Sequence, residues 1–84
     1  MQIQELQKIG LSANEATVYL ASLEMGPSTI LELSKQSKIK RPTTHFVMEG
    51  FIKKGLASSF EKGKKRYFVV ESPERLLTIF NLNG

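Results

Sequence analysis

Between Ser37 and Pro42 the chain has only four residues in which to finish one amphipathic helix and begin the next. Upstream, Ile30, Leu31 and Leu33 supply the apolar side of a helix that Ser28 or Thr29 can cap and that ends near Ser37. Lys38 falls in the turn, and Ile39 is an apolar anchor after it. Downstream, Pro42 suits the first turn of a helix, where its missing N–H costs little. Val47, Phe51 and Ile52 give this second helix a buried stripe, with Met48 beside them, and Gly55 closes it. Two helices joined by so short a link read as a helix-turn-helix pair.

The flanking segments extend the pattern. Ile3, Leu6 and Ile9 are three apart, which predicts a short amphipathic helix ended by Gly10. Ser12, followed three residues later by Glu15, is a capping box. It opens a helix over 13–25 with Ala16, Val18, Tyr19, Leu20 and Leu23 on its apolar face, and Gly26-Pro27 stops it. After Gly55 the period changes from that of a helix to that of a strand. Ala57–Glu61 and Arg66–Val70 read as two strands around Lys62-Gly63-Lys64-Lys65, a four-residue loop that sets Phe60 opposite Tyr67. Ser72-Pro73-Glu74 then starts a last helix with cap, N1 proline and first-turn acid in order. Helices followed by a basic hairpin make a winged helix-turn-helix, mainly α with a small β-hairpin in the α+β class. At 84 residues it is a single domain spanning 1–84.

Charge is segregated along the chain. Ten of its twelve Lys and Arg residues lie between Lys35 and Arg66, beside two of its eight acids, so that this stretch carries about +8 and the remainder about −4. A positive field on one part of a small domain attracts a polyanion, and nucleic acid is the obvious one.

Other function classes find little support. There is no Cys, and hence no disulfide or thiolate metal site, which suits a reducing cytoplasm. A single His with scattered Glu residues makes a poor metal site and a poor triad, so no cofactor, metal or enzymatic role is expected. Glu61-Lys62-Gly63-Lys64-Lys65 lacks the second glycine and the hydroxyl of a P-loop. No apolar run approaches the ~20 residues of a membrane span. The opening MQIQELQKIG lacks the basic start and apolar block of a signal peptide. A cytoplasmic location is therefore expected.

Three stretches carry a family likeness: GLSANEATVYLASLEMG, STILELSKQSKIKRPTTHFVMEGFIKKGL and KGKKRYFVVESPERL. Together they resemble the N-terminal DNA-binding domain of TrmB-type transcriptional regulators, over about residues 9–77. The resemblance implies a dimeric winged-helix binder of double-stranded DNA. Full-length regulators of this type add a C-terminal sugar-binding effector domain, and these 84 residues have no room for one, so no small-molecule effector site is expected. Gly50 stands where the family usually has a polar or charged residue, and His45 where it often has Tyr. In a helix Gly50 is a soft point, worth about 1 kcal/mol relative to Ala.

In such a fold the helix that opens near Pro42 enters the major groove, and its leading residues face base edges. Here these are Arg41, Thr43, Thr44 and His45. Arg41 has the fork to grip guanine O6 and N7. Thr44, three residues before Val47, can instead lean toward the core. Lys38 and Lys40 in the turn favour phosphates. Lys62, Lys64, Lys65 and Arg66 form a wing that tracks the backbone or probes the minor groove. The N–H groups near Ser28 and Thr29 can hold one phosphate at a helix start. Lys53 and Lys54 suit the dipole at a helix end.

The aromatic residues Tyr19, Phe51, Phe60, Tyr67 and Phe68 read as core or hairpin packing, with Tyr67 the one open to solvent. In the last helix, over 73–84, Leu76, Leu77, Ile79, Phe80 and Leu82 put apolar groups on more than one face. The surplus marks a two-fold dimer contact, which the first helix can join. The alternative role is a protein-interaction module that docks an acidic partner through the same basic face. RNA binding is weaker, because the hairpin offers no pair of exposed stacking aromatics.

Overall fold

A computed structural model describes residues 3–8 and 10–72. The expected last helix, with Leu76, Leu77, Ile79 and Phe80 as its dimer contacts, lies outside the described residues, as does Ile9. The elements run α1 (Ile3–Lys8), α2 (Ala13–Met25), α3 (Ile30–Ser37), α4 (Arg41–Lys53), β1 (Ala57–Lys62) and β2 (Lys65–Val70). This is the winged helix-turn-helix order. Among the described residues no helix is long and apolar enough to cross a membrane.

Local chemistry sets the helix limits. Ser12 Oγ accepts the Glu15 N–H at 3.1 Å, and the Glu15 carboxylate accepts the Ser12 N–H at 2.9 Å, which is the expected capping box of α2. A second box opens α3. Thr29 Oγ1 accepts the Glu32 N–H, and Glu32 Oε1 accepts the Thr29 N–H. Thr29 is therefore the cap, and Ser28 is not. At the end of α4, Leu56 N–H donates to the Phe51 carbonyl and Gly55 N–H to that of Ile52. This is a Schellman closure, with Gly55 at φ 77°. Gly10 ends α1 in the same way, through Leu11 N–H to Leu6 and Gly10 N–H to Gln7.

The turn between α3 and α4 converges on one carbonyl. Lys38 takes the left-handed conformation, φ 62°. The chain then brings the Ile39 carbonyl between two hydroxyls, that of Ser34 from α3 and that of Thr44 from α4, and both donate to it. Thr44 is fully buried. The Ile39 N–H donates to Ser37 Oγ. The two helices are thus joined by side-chain hydrogen bonds as well as by the backbone link.

α2 is the central element. It meets α1, α3, α4 and β2. It therefore buries residues on more than one side: Ala16, Val18, Tyr19, Ala21 and Ser22. Leu23, expected on a single apolar face, is partly exposed, and Leu31 of α3 is exposed as well. The core continues through Leu6, Leu11, Leu33, Val47, Met48, Phe51, Leu56, Phe68 and Val70. Tyr19 and Phe51 meet edge to face, with centroids 6.0 Å apart.

The hairpin pairs Ala57 with Val70, Phe60 with Tyr67, and Lys62 with Lys65. Phe60 lies opposite Tyr67 as expected, but the loop is shorter than the sequence suggests. Lys62 and Lys65 belong to the strands, and only Gly63-Lys64 turn. Gly63 at φ 65° takes the first central position, as in a II′ turn, whose twist matches that of the strands. Phe60, not Tyr67, is the more open ring, at 44% exposure, and the two rings stack at 5.6 Å. β2 has a second partner in the α2–α3 link: Ser28 and Phe68 exchange both backbone hydrogen bonds, at 3.0 and 2.7 Å. Beyond β2, Glu71 N–H donates to the Leu56 carbonyl, and the Tyr19 hydroxyl donates to the Glu71 carbonyl at 2.8 Å.

Tyr19 gives this packing a pH dependence. Burial, with the Glu71 charge adding to it, pushes the Tyr19 phenol up to about 12 from an ordinary 10.0. The folded value lies above the unfolded one, so the contribution is intact below pH 10 and falls away as pH rises from 10 to about 12. Tyr19→Phe should lower stability at neutral pH by about 1 kcal/mol through the lost hydrogen bond. It should also flatten the alkaline decline. Urea midpoints of both proteins measured from neutral to strongly alkaline pH should converge; parallel curves would contradict this account.

Candidate nucleic-acid interface

α4 buries Thr44, Val47, Met48 and Phe51, so the opposite face and the leading end point away from the core. Arg41 and His45 are exposed, and Thr43 is half-buried. Unlike α2 and α3, α4 has no side-chain cap; Lys40 precedes it, and Pro42 occupies its first turn. Lys38 and Lys40 are exposed in the turn, Lys62, Lys64 and Lys65 on the hairpin, and Lys53 and Lys54 at the far end of α4.

The hairpin lies against α4 and is held there by Arg66. Its Nη1 donates to Glu49 of α4 at 3.2 Å, while Nε and Nη2 donate to Ser59 across the hairpin at 3.3 and 3.0 Å. The guanidinium carbon sits 4.8 Å from the centre of the Phe68 ring. His45 closes the arrangement, with Nε2 3.3 Å from the same Glu49 oxygen and its ring edge-on to Phe68 at 6.1 Å. The wing thus stands on the same side as the leading end of α4. Between them lies an open cleft of about 380 Å³ lined by Thr29, Ile30, Leu31 and Phe68 together with Arg41, His45, Lys65 and Arg66.

Of the residues picked from sequence, Lys38, Lys40, Arg41, Thr43, His45, Lys62, Lys64 and Lys65 keep side chains at the surface. Three assignments need correction. Thr44 faces inward, and its hydroxyl is committed to the Ile39 carbonyl. Ser28 is buried, its N–H donates to Phe68 and its hydroxyl to the Gly26 carbonyl, so it has nothing to offer a phosphate. At Thr29 the N–H is already taken by Glu32. The hydrogen bonds from the Thr29 backbone and hydroxyl, with the charge of Lys65 adding a little, hold the Glu32 carboxyl below its usual range. A carboxylate on that helix start repels a phosphate.

Two residues went unnoticed in the sequence. Glu49 is one of the two acids inside the basic stretch and the only one on α4, and it is the hub of the helix–wing contact. Phe46 is the most exposed large apolar side chain among the described residues, at 78%. It falls outside the buried stripe of α4, and that was the available signal.

A double-mutant cycle on Glu49→Gln and Arg66→Gln should give a coupling of about 0.5 kcal/mol in stability, the usual size for a half-exposed pair. A coupling of zero in urea unfolding would mean that the hairpin is held without this pair.

Comparison with known proteins gives three agreements. Residues 6–73 match the family described as "Sugar-specific transcriptional regulator TrmB". The HTH-type sugar sensing transcriptional regulator TrmBL1 of Pyrococcus furiosus is 32% identical over 75 residues, which are 89% of this chain and 22% of that protein. The solved structure of TrmBL2, an archaeal chromatin protein described with a novel mode of DNA binding, superposes with a TM-score of 0.84 at 29% identity. It covers 96% of this chain and 32% of that one. The chain therefore spans about a fifth of its curated relative and a third of its structural neighbour. With the family match running from within α1 to past the end of β2, the chain belongs to the TrmB family of transcriptional regulators.

Proposed function

We propose that this chain is the DNA-reading module of a transcriptional regulator, with α4 laid in the major groove and the wing on the flanking backbone or minor groove. One observation carries the reading. The uncapped leading end of α4 and the cationic hairpin face the same side, joined through Glu49 and Arg66. Arg41 and His45 then address base edges, with Thr43 beside them, and Lys38 and Lys40 meet phosphates. Lys62, Lys64 and Lys65 supply the wing's charge. Arg66 has a different part: three of its five N–H groups are committed inside the protein, so it orients the wing more than it grips DNA. The kinship with TrmBL1 and TrmBL2 supports the reading. The chemistry is binding rather than catalysis, in the cytoplasm, by a homodimer on double-stranded DNA. The segment 73–84, with Leu76, Leu77, Ile79 and Phe80, is the candidate two-fold contact.

Fluorescence titration of duplex DNA should give a log–log dependence of affinity on salt with a slope of about −0.9 for each phosphate neutralised. Arg41→Ala should weaken a preferred duplex more than a random one, whereas Lys64→Ala should weaken both alike. Absent or salt-insensitive binding would sink the proposal.

A further inference from the structure

Phe46 stands apart in degree among the exposed large apolar side chains, the next being Phe60 at 44%. Phe60 is half-open but stacks on Tyr67. Phe46 has no such ring partner among the described residues. It is 78% exposed, and the ring pairs among the described residues join Tyr19 to Phe51, His45 to Phe68 and Phe60 to Tyr67, leaving it out.

Its place on α4 is informative. Pro42, Phe46, Glu49 and Lys53 are three or four residues apart and share the face opposite the buried Thr44, Val47, Met48 and Phe51. Glu49, the one carboxylate on that face, is already paired with Arg66. What remains outward on that face is an apolar ring, a proline and Lys53, and Phe46 and Gly50 also border a cleft with Ser12, Asn14 and Glu15 at the start of α2.

Gly50 lies one turn after Phe46. A glycine inside a helix costs about 1 kcal/mol relative to alanine. Among the described residues nothing calls for it here: its φ is not positive, and a Cβ added at this position would meet no atom within 4 Å. A bare backbone beside an unsupported ring is what close approach by an outside molecule requires.

The geometry points to Phe46 as a base-reading residue that packs its ring on the 5-methyl group of thymine, with Gly50 giving the duplex clearance. This rests on the placement of α4 in the major groove proposed above. The thymine methyl is the apolar group that the groove presents at its edge, and phenylalanine is among the side chains suited to it. Arg41 and Lys53, exposed at the two ends of α4, suit a polyanion better than an apolar protein partner. Covering the methyl removes apolar surface from water on both partners.

The test uses duplexes selected by the chain from a random pool, each thymine replaced in turn by deoxyuridine. Wild-type protein should lose about 4-fold in affinity at one or two positions, the worth of one buried methyl group. Phe46→Ala should show the loss on the thymine duplex, no further loss on deoxyuridine, and an unchanged salt slope, because no charge has been removed. Gly50→Ala should raise the urea midpoint while weakening the selected duplex. Three results would overturn the inference while leaving the DNA-reading role intact: salt-dependent binding indifferent to every deoxyuridine, no preferred duplex emerging from the pool, or Phe46→Ala weakening thymine and deoxyuridine duplexes alike. Absence of duplex binding altogether would instead remove the role on which the inference rests.

Discussion

The Ile39 carbonyl is the constraint on which the rest of the molecule depends. It sits in a turn of three residues, too tight to join a helix ladder, and a part-buried acceptor left alone is costly. Ser34 and Thr44 both donate to it, one from each helix. These bonds fix how α4 leaves α3, and so which side of α4 faces the core. With Thr44 held inward, Val47, Met48 and Phe51 follow it into the interior. Arg41, His45 and Phe46 are then turned toward solvent by the helical period alone. Lys38 makes the geometry possible by accepting a left-handed conformation that a residue with a Cβ adopts only at some cost.

What could be read in advance depended on distance along the chain. Helix limits are local: Ser12 with Glu15, Gly26, Pro42 and Gly55 each act within one turn, and each is where the sequence places it. The choice between Ser28 and Thr29 was also legible, since only Thr29 has a glutamate three residues on. Long-range pairings left no such trace. Ser28 meets Phe68 forty residues away, and Glu49 meets Arg66 seventeen residues away. Such contacts depend on how the elements pack and not on any spacing. The inward turn of Thr44 was visible in its distance from Val47. The outward turn of Phe46 follows from the same wheel, since it lies opposite Thr44, Val47, Met48 and Phe51.

The Arg66 network also changes how the basic stretch should be weighed. A formal count credits the wing with four cations. One is paired within the protein with Glu49 and lies over Phe68, so fewer are free to meet an external polyanion. The internal pair in turn leaves no bare carboxylate on the exposed face of α4, where one would oppose an approaching polyanion. A single contact thus trades one external attraction for a fixed wing and a masked repulsion.

The bridge from Ser28 to Phe68 and the bond from Glu71 to Leu56 both grip the hairpin on its inner strand and at its root, while among the described residues no such bond from another element reaches Gly63-Lys64 at the tip. Mechanically this is a cantilever. Deflection grows toward the unsupported end, where Lys62, Lys64 and Lys65 are carried. In the proposed DNA complex those ammonium groups would swing to follow a phosphate ridge as it rises or falls with local groove width, while the clamped half keeps its orientation to α4. In the proposed complex, rigidity where bases would be read and compliance where only charge would be felt come from where the β-ribbon is fastened.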